Sequence, residues 1–372
     1  MLQADNVATL LPPIDSPYYF VTPPYMRTSA GVKVMHLLAH ALNVKGKQAY
    51  VLPQFLIKGR TPTHPELKTP LLSSEIIDMH FHEGRLPIVV YPEITNGNPL
   101  NADCVVRYIL NYPGNLGGPE TYPATDFLLY YSEDLVPEGQ KLEAMKLFIP
   151  ASDPYFFCPP PAETNRTKKV FYAGKYQKNY GGELLDITKG CIEITLGKSD
   201  SQTRKEIVQL FQEASVFYCY ENSALCLEAI LCGCPVVLIN TPSMQGWIAK
   251  TELTTDGITL DHSPESILKA KQQTHLYREN YLKRYDLFWK ELDQFIGQTQ
   301  QKASAIEYTH KIKYSKPKNQ KNKLLVGLQA FTSYLLAHGL IKTLGLVLSL
   351  GQGKAGRNKF VFQLRREYFK TR

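Results

Sequence analysis

Apolar positions along this chain recur with two alternating periods. Val34, Leu37, Leu38, Ala41 and Leu42 repeat at three- and four-residue steps, which predicts a helix that follows Ser29-Ala30-Gly31 and ends at Gly46. Short apolar runs predict strands at 48–52, 86–91 and 127–131. The segment 104–110 between the last two is predicted to be helical, which puts Arg107 and Asn111 on a helix or just after it. Strands alternating with helices at this spacing predict a parallel sheet covered on both faces.

The alternation breaks at 150–168, where five prolines and little periodicity predict an interdomain linker. It then restarts, with strands at 170–173, 191–195, 215–219 and 235–239 and helices at 203–213 and 225–232. A mostly polar helix is predicted over 263–300, with Leu268, Leu276, Tyr281, Leu287, Leu292 and Phe295 as its buried stripe. The expected organisation is an N-terminal half at 1–155, a linker at 156–168, a second βα half with its closing helix at 169–300, and an appendage at 308–372.

Composition changes this picture in the appendage. A length of 372 residues suits two domains, and 44% hydrophobic with 20% charged residues fits a globular chain. Residues 308–372 hold fourteen Lys/Arg against Glu367 alone, a local +13, so the other 307 carry about −5 of the overall +8. Basicity confined to one end predicts an anionic partner for that end. Lys311, Lys313, Lys316, Lys318, Lys321 and Lys323 lead into 324–350, where Lys342 is the one formal charge, and a second basic cluster fills 354–372. The uncharged run 324–341 reaches the length of a membrane span, but its basic flanks on both sides oppose a single crossing. The expectation is a helix lying in the plane of an anionic membrane, with packing on the core as the alternative and nucleic acid not expected. The seven cysteines are irregularly spaced and the start lacks a basic signal region, so a reducing, cytoplasmic setting at the membrane face is expected.

The candidate chemistry is concentrated at 216–239, VFYCYENSALCLEAILCGCPVVLI. A strand there delivers Tyr220 and Glu221 to its carboxyl end, where open α/β sheets bind ligands. Asn222 or Ser223 can cap the next helix, and Glu228 follows two helical turns after Glu221. A carboxylate at such an edge can accept both ribose hydroxyls, and a helix N-terminus can hold a phosphate. Residues 227–237, LEAILCGCPVV, resemble the LEAMACGTPVV signature of the retaining GT-B enzymes of the "glycosyl transferases group 1" family. The resemblance implies two facing Rossmann-like βαβ domains and a nucleotide-sugar donor bound by the C-terminal half. It also implies retention of configuration with no metal or other cofactor. Glu228 matches the family's second glutamate, which implies a ribose contact. The position of the first is filled by Tyr220, with Glu221 one residue later, and either is a candidate for the donor sugar. Phe171-Tyr-Ala-Gly-Lys175-Tyr-Gln-Lys178 is similar to the family's strand–Gly–cation element, which implies that Lys175 and Lys178 meet the diphosphate.

Gly31, in Arg27-Thr-Ser-Ala-Gly31-Val-Lys33, either lets backbone approach the donor phosphates or serves a turn. Pro92-Glu93-Ile-Thr-Asn-Gly-Asn98-Pro99 follows a buried strand and offers Glu93 as a catalytic group and Asn98 to an acceptor, or is only a turn. His82 and Arg107 are further acceptor-side candidates. His80-Phe-His82-Glu83 lacks further spaced ligands, so no metal is expected. His36 and His40 read as helix surface or core, and Cys226, Cys232 and Cys234 as small apolar packers. The expected function is sugar transfer from a nucleotide-diphosphate sugar to a glycan or lipid-linked acceptor in cell-surface polysaccharide synthesis. The alternatives are a sugar-nucleotide epimerase or a non-catalytic scaffold of the same fold.

Overall fold

A computed structural model describes residues 14–161, 164–196, 201–241, 244 and 246–319. The N-terminal half carries β1 (Tyr18–Thr22), α1 (Ala30–Val44), β2 (Ala49–Pro53), α2 (Ser74–His82), β3 (Ile88–Pro92), β4 (Cys104–Ile109), β5 (Phe127–Tyr130) and β6 (Met145–Lys146). Its six strands lie in the order β2-β1-β3-β4-β5-β6, and every pairing is parallel. The C-terminal half carries β7 (Lys168–Tyr172), α3 (Gly174–Tyr180), β8 (Ile192–Glu193), α4 (Arg204–Glu213) and β9 (Ala214–Cys219). It continues with α5 (Ala224–Leu231), β10 (Val236–Leu238), α6 (Lys250–Leu253), β11 (Ile258–Thr259) and α7 (Pro264–Ser304). Its sheet has the order β11-β10-β9-β7-β8, again all parallel. The expected α/β architecture of two parallel sheets with flanking helices is therefore observed.

Cys104–Ile109 is a strand, not the predicted helix. All six residues are buried, as in the middle of a sheet covered on both faces, where an apolar run shows no alternation. β-branched Val105 and Val106 favour the extended form. In α7, Tyr281, Leu292 and Phe295 are buried as predicted, but Leu268, Leu276 and Leu287 are exposed. The helix instead buries Ala270, Thr274, Tyr277, Phe288, Ile296, Thr299 and Ala303. Because α7 serves both halves in turn, no single stripe describes it. Tyr277 and Tyr281 join the C-terminal core, whereas Phe288, Leu292, Phe295, Ile296 and Ala303 join the core beneath the N-terminal sheet. Gln300 ties its far end to Ser16 through two hydrogen bonds of 3.0 and 2.9 Å.

A second tie links the halves beside the cleft. The Glu252 carboxylate of α6 accepts from Ser132 Oγ at 2.7 Å and Glu133 N at 2.8 Å, while Asp134 accepts from Thr251 Oγ1 at 2.8 Å. Each carboxylate thus takes up donors at the start of the other half's helical turn.

The appendage does not begin as a helix at 308. Ile312 is buried in the N-terminal half, Lys313 N donates to Leu100 O, and Leu56 N donates to Lys318 O. The rest of the predicted basic and apolar tail, 320–372, lies outside the described residues. Among the described residues no helix is long and apolar enough to cross a membrane.

Candidate functional site

The loops that leave the carboxyl ends of both sheets face one another across a cleft of about 310 Å³. The N-terminal half lines it with Ser29, Gly31, Lys33, Glu93, Asn111 and Tyr112; the C-terminal half with Glu221, Asn222, Ser223, Leu227 and Trp247. Ser152, Tyr277 and Tyr281 close the seam between them.

Two helix N-termini reach this cleft. Ser29 precedes α1 and makes no side-chain cap hydrogen bond, so the first-turn N–H groups keep their partial positive charge directed at the opening. Gly31 does not adopt a left-handed φ, and a Cβ there would meet Leu110 Cδ1 at an ordinary 3.6 Å. Turn geometry therefore does not require this glycine, and its small size leaves backbone exposed to the cleft. On the other side, Ser223 caps α5 by accepting from Leu225 N at 3.3 Å, and Asn222 Nδ2 donates to Gly246 O at 3.0 Å.

Glu228 Oε1 accepts from Ser152 Oγ at 3.1 Å and stands 4.0 Å from Lys33 Nζ of the opposite half. Both side chains are nearly closed off, 12% and 13% exposed. Burial raises the Glu228 carboxyl above its usual range, with Lys33 and Ser152 opposing that rise, and burial lowers the Lys33 ammonium, with Glu228 opposing. Glu93, at the end of β3, is 5% exposed and accepts from Leu110 N at 3.2 Å. Its burial pushes the carboxyl up to about 7, the range suited to proton transfer near neutrality. Three further cleft groups have buried polar atoms with no hydrogen-bond partner among the described residues: Thr22 Oγ1, Trp247 Nε1 and Tyr277 OH. Buried polar atoms are rarely left unpaired, so these are places for ligand or water.

Other candidates point elsewhere. Tyr220 is fully buried, and its hydroxyl accepts from Leu185 N at 2.8 Å and bonds with Thr188 Oγ1, which removes it from the cleft. The segment after β7 winds into α3, so Lys175 is a first-turn helix residue; its side chain lies outside what the structure describes. Lys178 is exposed on α3 and does not line the cleft. His82 is exposed at the end of α2, before β3 begins and so at the sheet's opposite edge. Its neighbour His80 is buried, bonds with Tyr19 OH at 2.6 Å and is held down to about 4, so it stays neutral. No group of ligands able to hold a metal exists among the described residues. Asn98 spends its amide on Tyr91 OH, Ala102 N and Ala102 O. Arg107 is 1% exposed, paired with Asp126 at 2.8 Å and bonded to Thr95 O and Gly97 O. It is a brace for the turn below the site rather than an acceptor contact.

Lys33, two residues after Gly31, is a functional candidate that the sequence motifs do not mark. A polar residue on the buried face of a mostly apolar helix was the available signal. Ser152 and Trp247 carried no such signal.

No family model matches the chain, and no curated protein matches it by sequence. Among solved structures the chain is similar to a point mutant of the O-GlcNAc transferase of Thermobaculum terrenum, with a TM-score of 0.45 and 11% identity over 79% of this chain and 70% of that one. It is also similar to WaaG, a glycosyltransferase involved in lipopolysaccharide biosynthesis, at 0.42 and 13% over 76% and 99%. A third likeness is to the glycosyltransferase SnogD from Streptomyces nogalater, at 0.38 and 12% over 77% and 100%. The fold itself rests on the chain's own two parallel sheets and their strand order.

Proposed function

We propose that the chain is a glycosyltransferase that moves a sugar from a nucleotide-diphosphate sugar to a hydroxyl of a glycan or lipid-linked acceptor. One observation carries this reading: the N-termini of α1 and α5, from opposite halves, open into the same cleft together with Glu93, Glu221 and Lys33, and Glu228 stands directly behind its lining on Ser152. In this reading Glu228 accepts the ribose hydroxyls, helix ends and cations stabilise the leaving diphosphate without a metal, and Glu221 orients the donor sugar. Glu93 is our candidate for taking the acceptor proton, a role commonly worth on the order of 10²–10⁴ in rate. Transfer proceeds with retention, as the 227–237 signature implies, and serves cell-surface polysaccharide synthesis at the cytoplasmic face of the membrane.

The test is incubation of the full chain with a panel of nucleotide-diphosphate sugars, with and without lipid extract as acceptor. Release of nucleoside diphosphate together with a glycosylated product is expected. Epimerised donor without an acceptor would move the protein to sugar-nucleotide epimerases, and binding without turnover would leave a scaffold. Membrane docking is tested with anionic vesicles, using the full chain and a chain ending at Asn319, which keeps Ile312 in place. Salt-sensitive pelleting of the full chain alone is expected, and both chains in the supernatant would remove the membrane from the reading.

A further inference from the structure

Charge along the cleft is confined to one side. Three charged side chains line it among the described residues, Lys33, Glu93 and Glu221, and they follow β1, β3 and β9. The segments after β4, β5 and β10 instead bring Tyr112, Leu116, Tyr131, Trp247, Ile248 and Leu253 to the lining. Strand order sets these two groups side by side. β4 and β5 follow β3 in one sheet, and β10 lies next to β9 in the other, so a charged arm and an apolar arm adjoin, with Glu93 at their junction. Neighbouring strands are about 4.8 Å apart, so the apolar arm starts about one strand spacing from Glu93. We infer that this arm holds the apolar body of the acceptor, an alkyl or aryl group joined to the part that presents the reacting hydroxyl. The inference rests on the glycosyltransferase reading above and names the acceptor class for it.

Both halves build the arm. Tyr112 and Tyr131 of the N-terminal half and Ile248 of the C-terminal half pack on one apolar cluster formed by Ile109, Tyr130, Leu135 and Val136. All three are only partly buried and line the cleft, so each keeps apolar surface turned to it. Leu116, in the turn after β4, is 41% exposed, a large aliphatic side chain left open beside the site. That turn sits directly on the turn that carries Glu93: Gly118 has a φ of +85°, and a Cβ there would stand 2.7 Å from Ile94 Cα. The polar side chains of the same turn are engaged within it, since Asn111 Oδ1 accepts from Tyr112 N at 2.8 Å and from Asn115 Nδ2 at 3.4 Å. One donor remains. Trp247 Nε1 is buried without a hydrogen-bond partner among the described residues, which suits a single oxygen on an otherwise apolar ligand. A bare sugar carries hydroxyls around its whole ring and would leave several unpaired in this arm. An alkyl or aryl group instead gains from every carbon removed from water.

The experiment is calorimetric titration of the full chain with butyl, hexyl and octyl glucoside, phenyl glucoside and 1-octanol, all below the concentrations at which they form micelles. Affinity for the alkyl glucosides is expected to rise roughly three- to fourfold per methylene. A Leu116→Ser/Ile248→Ser double variant, its folding checked by the thermal melt, should flatten that rise. Should the double variant not fold, Leu116→Ser alone, at an open position, decides the matter by weakening octyl glucoside about threefold or more. A stronger gain from alkyl groups assigns the arm to an aliphatic acceptor, and a stronger gain from phenyl to an aromatic one. Affinity independent of chain length, no binding of any probe, or a rise that persists in the folded variants overturns the inference. Uridine, thymidine, guanosine and adenosine diphosphates are titrated alongside. A chain that binds one of them but shows no chain-length dependence loses the acceptor class and keeps the glycosyltransferase reading. A variant-sensitive rise in a chain that binds none of them and transfers from no donor keeps the apolar arm and overturns the glycosyltransferase instead.

Discussion

Two buried cations sit on the cleft side of the N-terminal sheet, Arg107 beneath the 92–99 turn and Lys33 in the first turns of α1. Arg107 has spent its guanidinium on Asp126 and two carbonyls and lies over the rings of Tyr91 and Tyr122, at 5.1 and 5.4 Å. Lys33 has a carboxylate 4.0 Å away and no hydrogen bond among the described residues. Desolvating a charge costs several kcal/mol, and only complete pairing offsets it. The first cation is therefore part of the scaffold. The second is held in an unfavourable state that a ligand can relieve, and that contrast separates structure from function in this cleft.

The comparison is most easily broken at Arg107. Arg107→Met strands Asp126 in the interior and should cost about 3–5 kcal/mol in chemical denaturation. Lys33→Met breaks no hydrogen bond among the described residues and leaves Glu228 bonded to Ser152, so it should cost clearly less. Equal losses would place both cations in the scaffold.

The next effect is at Glu93. Its carboxyl, raised from 4.5 to about 7 by burial, favours the neutral form in the folded chain. The penalty is absent below about 4.5, grows as pH rises and is complete above about 7. Glu93→Gln should therefore stabilise the protein at pH 8 by up to roughly 3 kcal/mol, at 1.36 kcal/mol per unit, with little change at pH 4. Turnover of the variant should fall on the order of 10²–10⁴-fold. A variant that keeps its rate would make Glu93 a strut like Arg107.

Glu228→Gln should weaken nucleoside diphosphate binding about tenfold, a charge-assisted hydrogen bond being worth roughly 1.5–3 kcal/mol. Unchanged affinity in a folded variant removes it from the ribose. The smallest change is expected from ending the chain at Asn319, which keeps Ile312 in place; an unfolding free energy within about 0.5 kcal/mol of the full chain is expected, and a larger loss would place the tail on the core instead of the membrane.

Most of the layer pattern was legible, because helices and strands advertise their faces at periods of 3.6 and 2. What failed did so for a physical reason. Cys104–Ile109 is buried on both faces and so shows no period, and α7 changes the surface it packs on halfway, so Leu268, Leu276 and Leu287 were assigned to a stripe that does not exist. For the site, local wording led to Glu221 and Ser223 at the cleft and to Glu228 just behind its lining, since strand, cap and helix are neighbours in sequence. It also led to Tyr220, whose backbone ends the strand at the right place while its ring turns into the interior. Lys33 meeting Glu228 is a contact between halves, and no local pattern encodes it. Arg107 and Asn98 are polar residues near a turn, and only their filled hydrogen bonds reveal that they hold the turn itself.

The reach of α7 has a consequence for synthesis. Ribosomes release the N-terminal half first, and such a domain ordinarily folds as it emerges. Here Phe288, Leu292, Phe295, Ile296 and Ala303, which complete the core under the first sheet, are made after the whole second half. The second half receives Tyr277 and Tyr281 earlier and can close its own core while the first still exposes apolar surface. The half translated first is thus the one finished last, and a nascent chain stalled before residue 288 carries an open hydrophobic floor for chaperones to guard.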